Sequence, residues 1–347
     1  MTAPSRRILT AFIALVGTAI LFSGAACSVD KEPGSGRTSV AKWKDDKLGA
    51  FSLTFDDSST SQADIAVPAL IRSGLVGSWF ITPGHPRYFD PSYRACHDDI
   101  PNCPSDCTNS RAMVWEIDAL NSGQELANHT WDHSGWNDCA GADVQIGECA
   151  RHIRALTGKP DSLMTFALPG GVPTECADLG PILDKYHCIA REGTVYGGPA
   201  AEMIAYAQGA IDSGEWRKVL YHHVDGVTGY SPVSCADFLD FMDWLVTKKS
   251  SLWIATYIDA HKYSQERDTA AVAVVETTPD SIRLSLTSSK DPILYDLPLT
   301  LITEVPVHWD ACQVTQGGQS KVFPIAVKGI ARYDAVPNKG EIHLSGD

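Results

Sequence analysis

Residues 51–81 read FSLTFDDSSTSQADIAVPALIRSGLVGSWFI, and their pattern decides the fold. Phe51 to Phe55 is a short apolar run, the form of a buried strand. SQADIAVPALIRSG then carries apolar residues at helical spacing and stops at Gly74. LVGSWFIT follows as a second strand. Strand, helix and strand in that order make the repeating unit of a parallel sheet covered by helices.

The alternation continues outward. RAMVWEIDALNSG reads as a helix and QELAN as a strand, DVQIGECARHIRALTG as a helix and SLMTFAL as a strand. KYHCIA, RKVLYH and SLWIATY complete the strands, with SCADFLDFMDWLVTKK the helix before the last. About seven strands between residues 45 and 265 predict an α/β fold, a closed or nearly closed (β/α) barrel. From 266 to 347 the texture changes to short alternating runs (AVAVVET, SIRLSLTSS, PLTLITEV, KVFPIAV, EIHLSG) separated by turn residues. This predicts a small all-β, sandwich-like C-terminal domain.

At 347 residues with 44% hydrophobic content, the chain is large enough for such a barrel plus a smaller domain. Residues 1–26 place Arg6 and Arg7 before ILTAFIALVGTAILF and small residues, which reads as an export signal, with a retained anchor as the competing reading. Cys27 after Gly-Ala-Ala is similar to a bacterial lipoprotein site, although Gly24 departs from that pattern. The expected location is therefore secreted or lipid-anchored at the cell surface. Residues 27–44, polar and bearing Pro, Gly and Ser, read as a flexible tether. The formal charge is −14. It becomes about −16 without residues 1–26, which hold two arginines and no acid. Such a surface argues against nucleic acid as a partner and tolerates a neutral glycan. Setting Cys27 aside, nine of the ten cysteines remain, room for four disulfides. Cys96, Cys103 and Cys107 sit in a Pro/Asp/Asn-rich insertion and read as disulfide staples rather than as a zinc knuckle.

Strand ends on one face of a parallel barrel converge on a single mouth. Four polar segments follow apolar runs here: Asp56-Asp57, His129-Thr-Trp-Asp-His133, Pro169-Gly170-Gly171 and His222-His223. Two aspartates and several histidines suit a divalent metal with a base and an acid beside it. Adjacent carboxylates on an extended backbone point to opposite sides. One can ligate while the other faces water as general base, and helix capping is the competing reading. His129 and His133 fall within reach of one ion, and zinc accepts two nitrogens and one carboxylate oxygen, with cobalt or nickel fitting the same set. Trp131 and Trp136 are placed either to stack on a sugar or to pack the core or rim. His222 and His223 face opposite ways at a strand end, and one can act as general acid.

Over roughly residues 48–260 the segments LTFDDS, GQELANHTWDH, VLYHHVDG with GYSPVS, and LWIATYIDAHKY resemble the polysaccharide deacetylase family, the NodB-homology carbohydrate esterases. The resemblance implies a deformed TIM-like barrel with Asp56 as base, Asp57, His129 and His133 as metal ligands, and His222 as acid. It implies metal-dependent removal of acetyl groups from an extracellular polysaccharide or oligosaccharide. The leading expectation is N-deacetylation of chitin- or peptidoglycan-like N-acetylhexosamine units, and the alternative is an O-acetyl esterase on acetylated xylan or a similar polysaccharide. A third reading, from another class, is a non-catalytic glycan-binding protein. Gly170, after Pro169, would offer its N–H to the oxyanion. The third motif departs from the family pattern, since Ala167 and Gly170 stand where many members have an arginine and an aromatic residue. Arg191, ending KYHCIA, is the candidate to supply the missing cation as a tether for the base.

Overall fold

The computed structural model describes residues 35–89, 111–226 and 229–346. Its strands in chain order are β1 (Thr38–Val40), β2 (Gly49–Asp56), β3 (Ser78–Ile81), β4 (Glu125–Asn128), β5 (Met164–Phe166), β6 (Cys188–Ala190), β7 (Val195–Tyr196), β8 (Trp216–Tyr221) and β9 (Leu252–Ile254), then β10 (Ala271–Thr277), β11 (Ser281–Thr287), β12 (Leu299–Glu304), β13 (Ala311–Gln316), β14 (Gln319–Pro324), β15 (Ile330–Ala335) and β16 (Ile342–Gly346). The α-helices among the described residues are α1 (Val67–Ser73), α2 (Pro86–Phe89), α3 (Arg111–Met113), α4 (Cys139–Thr157), α5 (Gly180–Lys185), α6 (Ala200–Ser213), α7 (Cys235–Thr247) and α8 (Tyr257–Asp268), with π-helical turns at Gln62–Ala66 and Val114–Ala119 leading into α1 and continuing α3. Asp138, Ser234 and Thr256 cap α4, α7 and α8 by accepting backbone N–H groups.

All seven expected strands form, and the two-residue β7 adds an eighth. They build a parallel sheet in the order β6-β5-β4-β3-β2-β8-β7, with β9 also on β2. β8 runs along one edge of β2. β3 and β9 share the other, β3 at Thr54–Asp56 and β9 at Gly49–Phe51. The result is a curled, deformed barrel whose sheet ends at β6 and β7.

β2 is buried at every position, as a central parallel strand with both faces covered should be. Its alternation divides the two faces. Phe51, Leu53 and Phe55 join the core beneath the helices, where Phe55 stacks on Trp79 at 4.0 Å and meets Tyr221 at 5.5 Å. Ser52 and Thr54 turn the other way: Ser52 Oγ accepts from Trp216 Nε1, and Thr54 Oγ1 accepts from Arg191 Nη1 at 3.4 Å. Asp56 follows in register on that polar interior face.

The C-terminal strands form the expected sandwich. A five-stranded sheet, β10-β11-β16-β13-β14, and a three-stranded sheet, β1-β12-β15, are both antiparallel. They enclose Ile282, Leu284, Leu301, Tyr333, Ile342 and Leu344.

The tether expected over 27–44 is corrected at its C-terminal end. Thr38–Val40 pairs with Leu301–Thr303 as the outer strand of the small sheet. Trp43 is buried, donates to the Gly214 carbonyl, and clusters with Ala50, Tyr263 and Leu299 between barrel and sandwich. Three residues of strand need the sheet they join, so composition alone reads them as loop. The export signal, Cys27, residues 28–34 of the tether, and Cys96, Cys103 and Cys107 lie outside the described residues. Of the remaining cysteines, Cys139 and Cys176 are bridged and Cys235 is disulfide-bonded, while Cys149, Cys188 and Cys312 are buried free thiols.

Candidate metal centre and catalytic groups

Asp57 leaves β2 with φ 78° and Ser58 follows at φ 50°, the left-handed region that costs a non-glycine residue energy. That turn brings the Asp57 carboxylate back over the strand end, so both neighbouring aspartates serve one mouth. The SSTSQ run braces the turn. Ser58 Oγ accepts from Thr82 N, Ser59 Oγ donates to the His222 carbonyl, and Gln62 Nε2 donates to the carbonyls of Asp56 and His222. These polar residues lock β2 to β8, which carries the candidate acid.

The loop after β4 holds the two imidazoles, again with left-handed backbone at Thr130 and His133. Asp57 Oδ1 lies 3.2 Å from His129 Nε2 and 3.3 Å from His133 Nε2. One donor atom from each residue falls within 4.8 Å of the others, a geometry open to a single ion. His129 Nδ1–H donates to the Ala167 carbonyl at 2.9 Å, which leaves Nε2 as the lone-pair donor facing the site. Two imidazole nitrogens and a carboxylate oxygen fit a divalent transition metal. Burial opposes ionisation of Asp57, yet hydrogen bonds and charge from His129 and His133 outweigh it and hold the carboxyl well below its usual range.

Asp56, 3.9 Å from His129 Nε2, is gripped by Arg191 through both guanidinium arms, Nη1 to Oδ1 and Nη2 to Oδ2, the latter at 2.7 Å. Arg191 follows β6, its N–H held by the Phe166 carbonyl and its guanidinium 4.3 Å from the Phe80 ring centroid. Burial pushes the Asp56 pKa up, but Arg191 and His129 more than reverse this, and the net shift is downward. The arginine absent at Ala167 thus has a counterpart on the next strand.

His222 follows β8 and feels both Asp56 and Asp57. Burial lowers its pKa and the two aspartates only partly restore it. Its Nδ1 is buried without a hydrogen-bond partner among the described residues. His223 packs against Gly229 and bridges to Pro232. Pro169 is buried and Gly170 exposed at the bend after β5, tied to the imidazoles through Ala167.

The two tryptophans separate. Trp136 is buried and bridges to Thr174, so it takes the packing role. Trp131 is half-buried, packed on Gly84 and edge-on to His152 with ring centroids 6.0 Å apart. Three residues at the mouth escaped sequence reasoning: Arg87, whose Nη1 is 4.0 Å from Asp57 Oδ2, and Tyr196 and Tyr230, both against His222. Tyr230 lies within the GYSPVS segment that follows the two histidines, and the glycine after Tyr196 marks a close backbone approach. A cleft of about 970 Å³ at the other end of the sheet, lined by Glu125, Asp259, Lys262 and Leu297 among others, holds none of these groups.

A family model described as polysaccharide deacetylase matches residues 44–178, which include the Asp57, His129 and His133 donors. A gellan lyase from a Bacillus species is 26% identical over 364 aligned residues, covering 90% of this chain and 13% of the lyase, so the chain spans a small part of that relative. Among solved structures, the carbohydrate esterase domain of a multidomain xylanase from the Trinervitermes trinervoides hindgut metagenome is 14% identical, with TM-score 0.40 over 62% of this chain and 90% of that one. A family 4 carbohydrate esterase from Streptomyces lividans is 18% identical, with TM-score 0.37 over 62% and 95%. A peptidoglycan deacetylase from Bacillus subtilis is 16% identical, with TM-score 0.37 over 64% and 94%.

Proposed function

We propose, from the premise that residues 44–178 belong to the polysaccharide deacetylase family, that this chain is a metal-dependent hydrolase removing acetyl groups from an extracellular glycan. The observation that carries the reading is the Arg191-held Asp56 beside the Asp57, His129 and His133 donor set, with His222 on the adjacent strand end. A divalent cation on those three donors, zinc by ligand type, would supply Lewis-acid polarisation of the acetyl carbonyl and of water.

The chain's own groups supply the proton chemistry. Asp56, kept ionised by Arg191, accepts the proton of the attacking water. The Gly170 N–H is the candidate donor to the developing oxyanion, a contribution often worth about 3 kcal/mol. His222, as imidazolium, protonates the departing nitrogen or oxygen.

N-deacetylation of N-acetylhexosamine units is the first substrate reading. The second is an O-acetyl esterase on acetylated xylan or a similar polysaccharide, because the base, the metal donors and the acid serve an ester as well as an amide. Acetate release from chitin oligomers, peptidoglycan and acetylxylan, with and without chelator and with Asp56→Asn as control, tests the proposal. Release that survives chelation, or that Asp56→Asn leaves intact, refutes it.

A further inference from the structure

Two surface tyrosines frame His222 from segments that carry none of the metal donors and not the base. The Tyr196 ring lies 29° from parallel to the His222 imidazole, with centroids 5.9 Å apart. Tyr230 meets the same imidazole edge-on at 5.1 Å and Tyr196 at 5.8 Å. Yet the two residues are 52% and 63% exposed, so the aromatic corner faces solvent. Aromatic surface left in water forgoes roughly 25 cal/mol per Å² of burial, and two such rings in contact beside an acid are a patch, not a scatter.

The corner is built into the backbone. β7 pairs with β8 through Tyr196 and Leu220, and the next residue, Gly197, lies so close that a Cβ there would be 2.1 Å from the Tyr221 ring. On the other side Gly229, at φ +84°, comes so close to His223 that a Cβ would be 2.0 Å from Nε2, and it delivers Tyr230 to the neighbouring imidazole. Two glycine contacts therefore press both tyrosines onto one strand end. Among the described residues no hydrogen bond reaches His222 Nδ1, and the two tyrosine rings flank the imidazole.

We propose that Tyr196 and Tyr230 form the sugar platform of this site: the apolar face of a pyranose ring stacks on them, and that seating presents its acetyl-bearing nitrogen or oxygen to His222. The platform rests on the hydrolase reading above and adds the residues that select a sugar. A pyranose exposes C–H groups on its faces and hydroxyls at its rim. Tyrosine matches both, with a flat apolar ring and a polar tip. Neutral rings also suit a neutral glycan, which a charged pair would not.

The test compares wild type, Tyr196→Ala, Tyr230→Ala and Tyr196→Phe on N-acetylchitopentaose, acetylated xylopentaose and p-nitrophenyl acetate. Binding of both pentasaccharides to the same tyrosine variants in an Asp56→Asn background is followed by calorimetry, and circular dichroism checks the fold. Each alanine should raise KM for the pentasaccharide substrate about tenfold. It should weaken binding alike, with a smaller loss on p-nitrophenyl acetate, and Tyr196→Phe should recover most of the affinity. Equal losses on pentasaccharide and p-nitrophenyl acetate, or unchanged affinity in the alanine variants, overturn the platform. If wild type frees no acetate from either pentasaccharide, the hydrolase reading fails and calorimetry decides the platform alone. Binding weakened by Tyr196→Ala then supports it, and no binding to Asp56→Asn overturns it.

Discussion

Arg191 reaches Asp56 across the interior of the curled sheet, from the end of β6 to the end of β2, and engages both carboxylate oxygens. A two-armed grip fixes orientation as well as charge, which a lysine would not reproduce. Removing it leaves burial to act with less opposition, so the Asp56 pKa rises. Arg191→Ala should therefore lower kcat/KM by about 10²-fold and move the acid limb of the pH profile upward. Arg191→Lys should restore the limb's position better than the rate. A profile that stays in place in Arg191→Ala would remove Arg191 from the mechanism.

Metal content separates ligands from base. Elemental analysis after dialysis should show less than stoichiometric zinc in Asp57→Ala, His129→Ala and His133→Ala, and full loading in Asp56→Asn. Chelation should end acetate release and added zinc restore it. Full zinc in His129→Ala would exclude that imidazole as a ligand.

His222 should set the alkaline limb. Its folded pKa lies below 6.5 because burial disfavours the imidazolium, so the proton-donating form is lost as pH rises through that lowered value. His222→Ala should cost about 10²- to 10⁴-fold on a glycan, whose leaving group needs a proton, and far less on p-nitrophenyl acetate. Equal losses on the two substrates would contradict an acid role.

Glu266, on α8 between barrel and sandwich, is pushed up to about 7 by burial, with its Oε2 accepting from Leu297 N and its Oε1 without a partner among the described residues. The folded state therefore holds this proton more tightly than the unfolded chain. That stability is complete below the unfolded value near 4.5 and is lost as pH rises to about 7. The loss is at most about 3 kcal/mol. Thermal melts should show a midpoint falling over this window in wild type and a flatter curve in Glu266→Gln. Parallel curves for the two proteins would reject the assignment.

The Cys139–Cys176 bridge closes a 37-residue separation and joins the start of α4 to the loop after β5. Its loss should lower stability by about 2–4 kcal/mol. Paired Cys139→Ser and Cys176→Ser substitution, followed by denaturant titration, measures this. An unchanged midpoint would show that the backbone bonds between Trp136 and the Pro173–Glu175 stretch suffice.

Long apolar runs were legible because burial on both faces demands them, as β2 illustrates. The convergence of Asp57, His129 and His133 followed from strand ends sharing a face. Other features had no local signature. Periodicity could not show that a left-handed turn at Asp57 lets adjacent aspartates cooperate. Nor could it show that three residues at Thr38 form a strand stabilised only by partners far along the chain. Arg191 was reachable only by asking what replaces Ala167, whereas Tyr196 and Tyr230 sit on a two-residue strand and a loop. Cysteine spacing allowed many pairings and could not select Cys139 with Cys176.

The pairing of Thr38 with Thr303 has a kinetic consequence. The small sheet cannot assemble until the ribosome has synthesised Leu299–Glu304, so its first strand waits, edge uncovered, while about 260 residues are added. Closing so long a loop is a late and entropically costly event. Nascent chains stalled before residue 303 should accordingly be the species most in need of a chaperone.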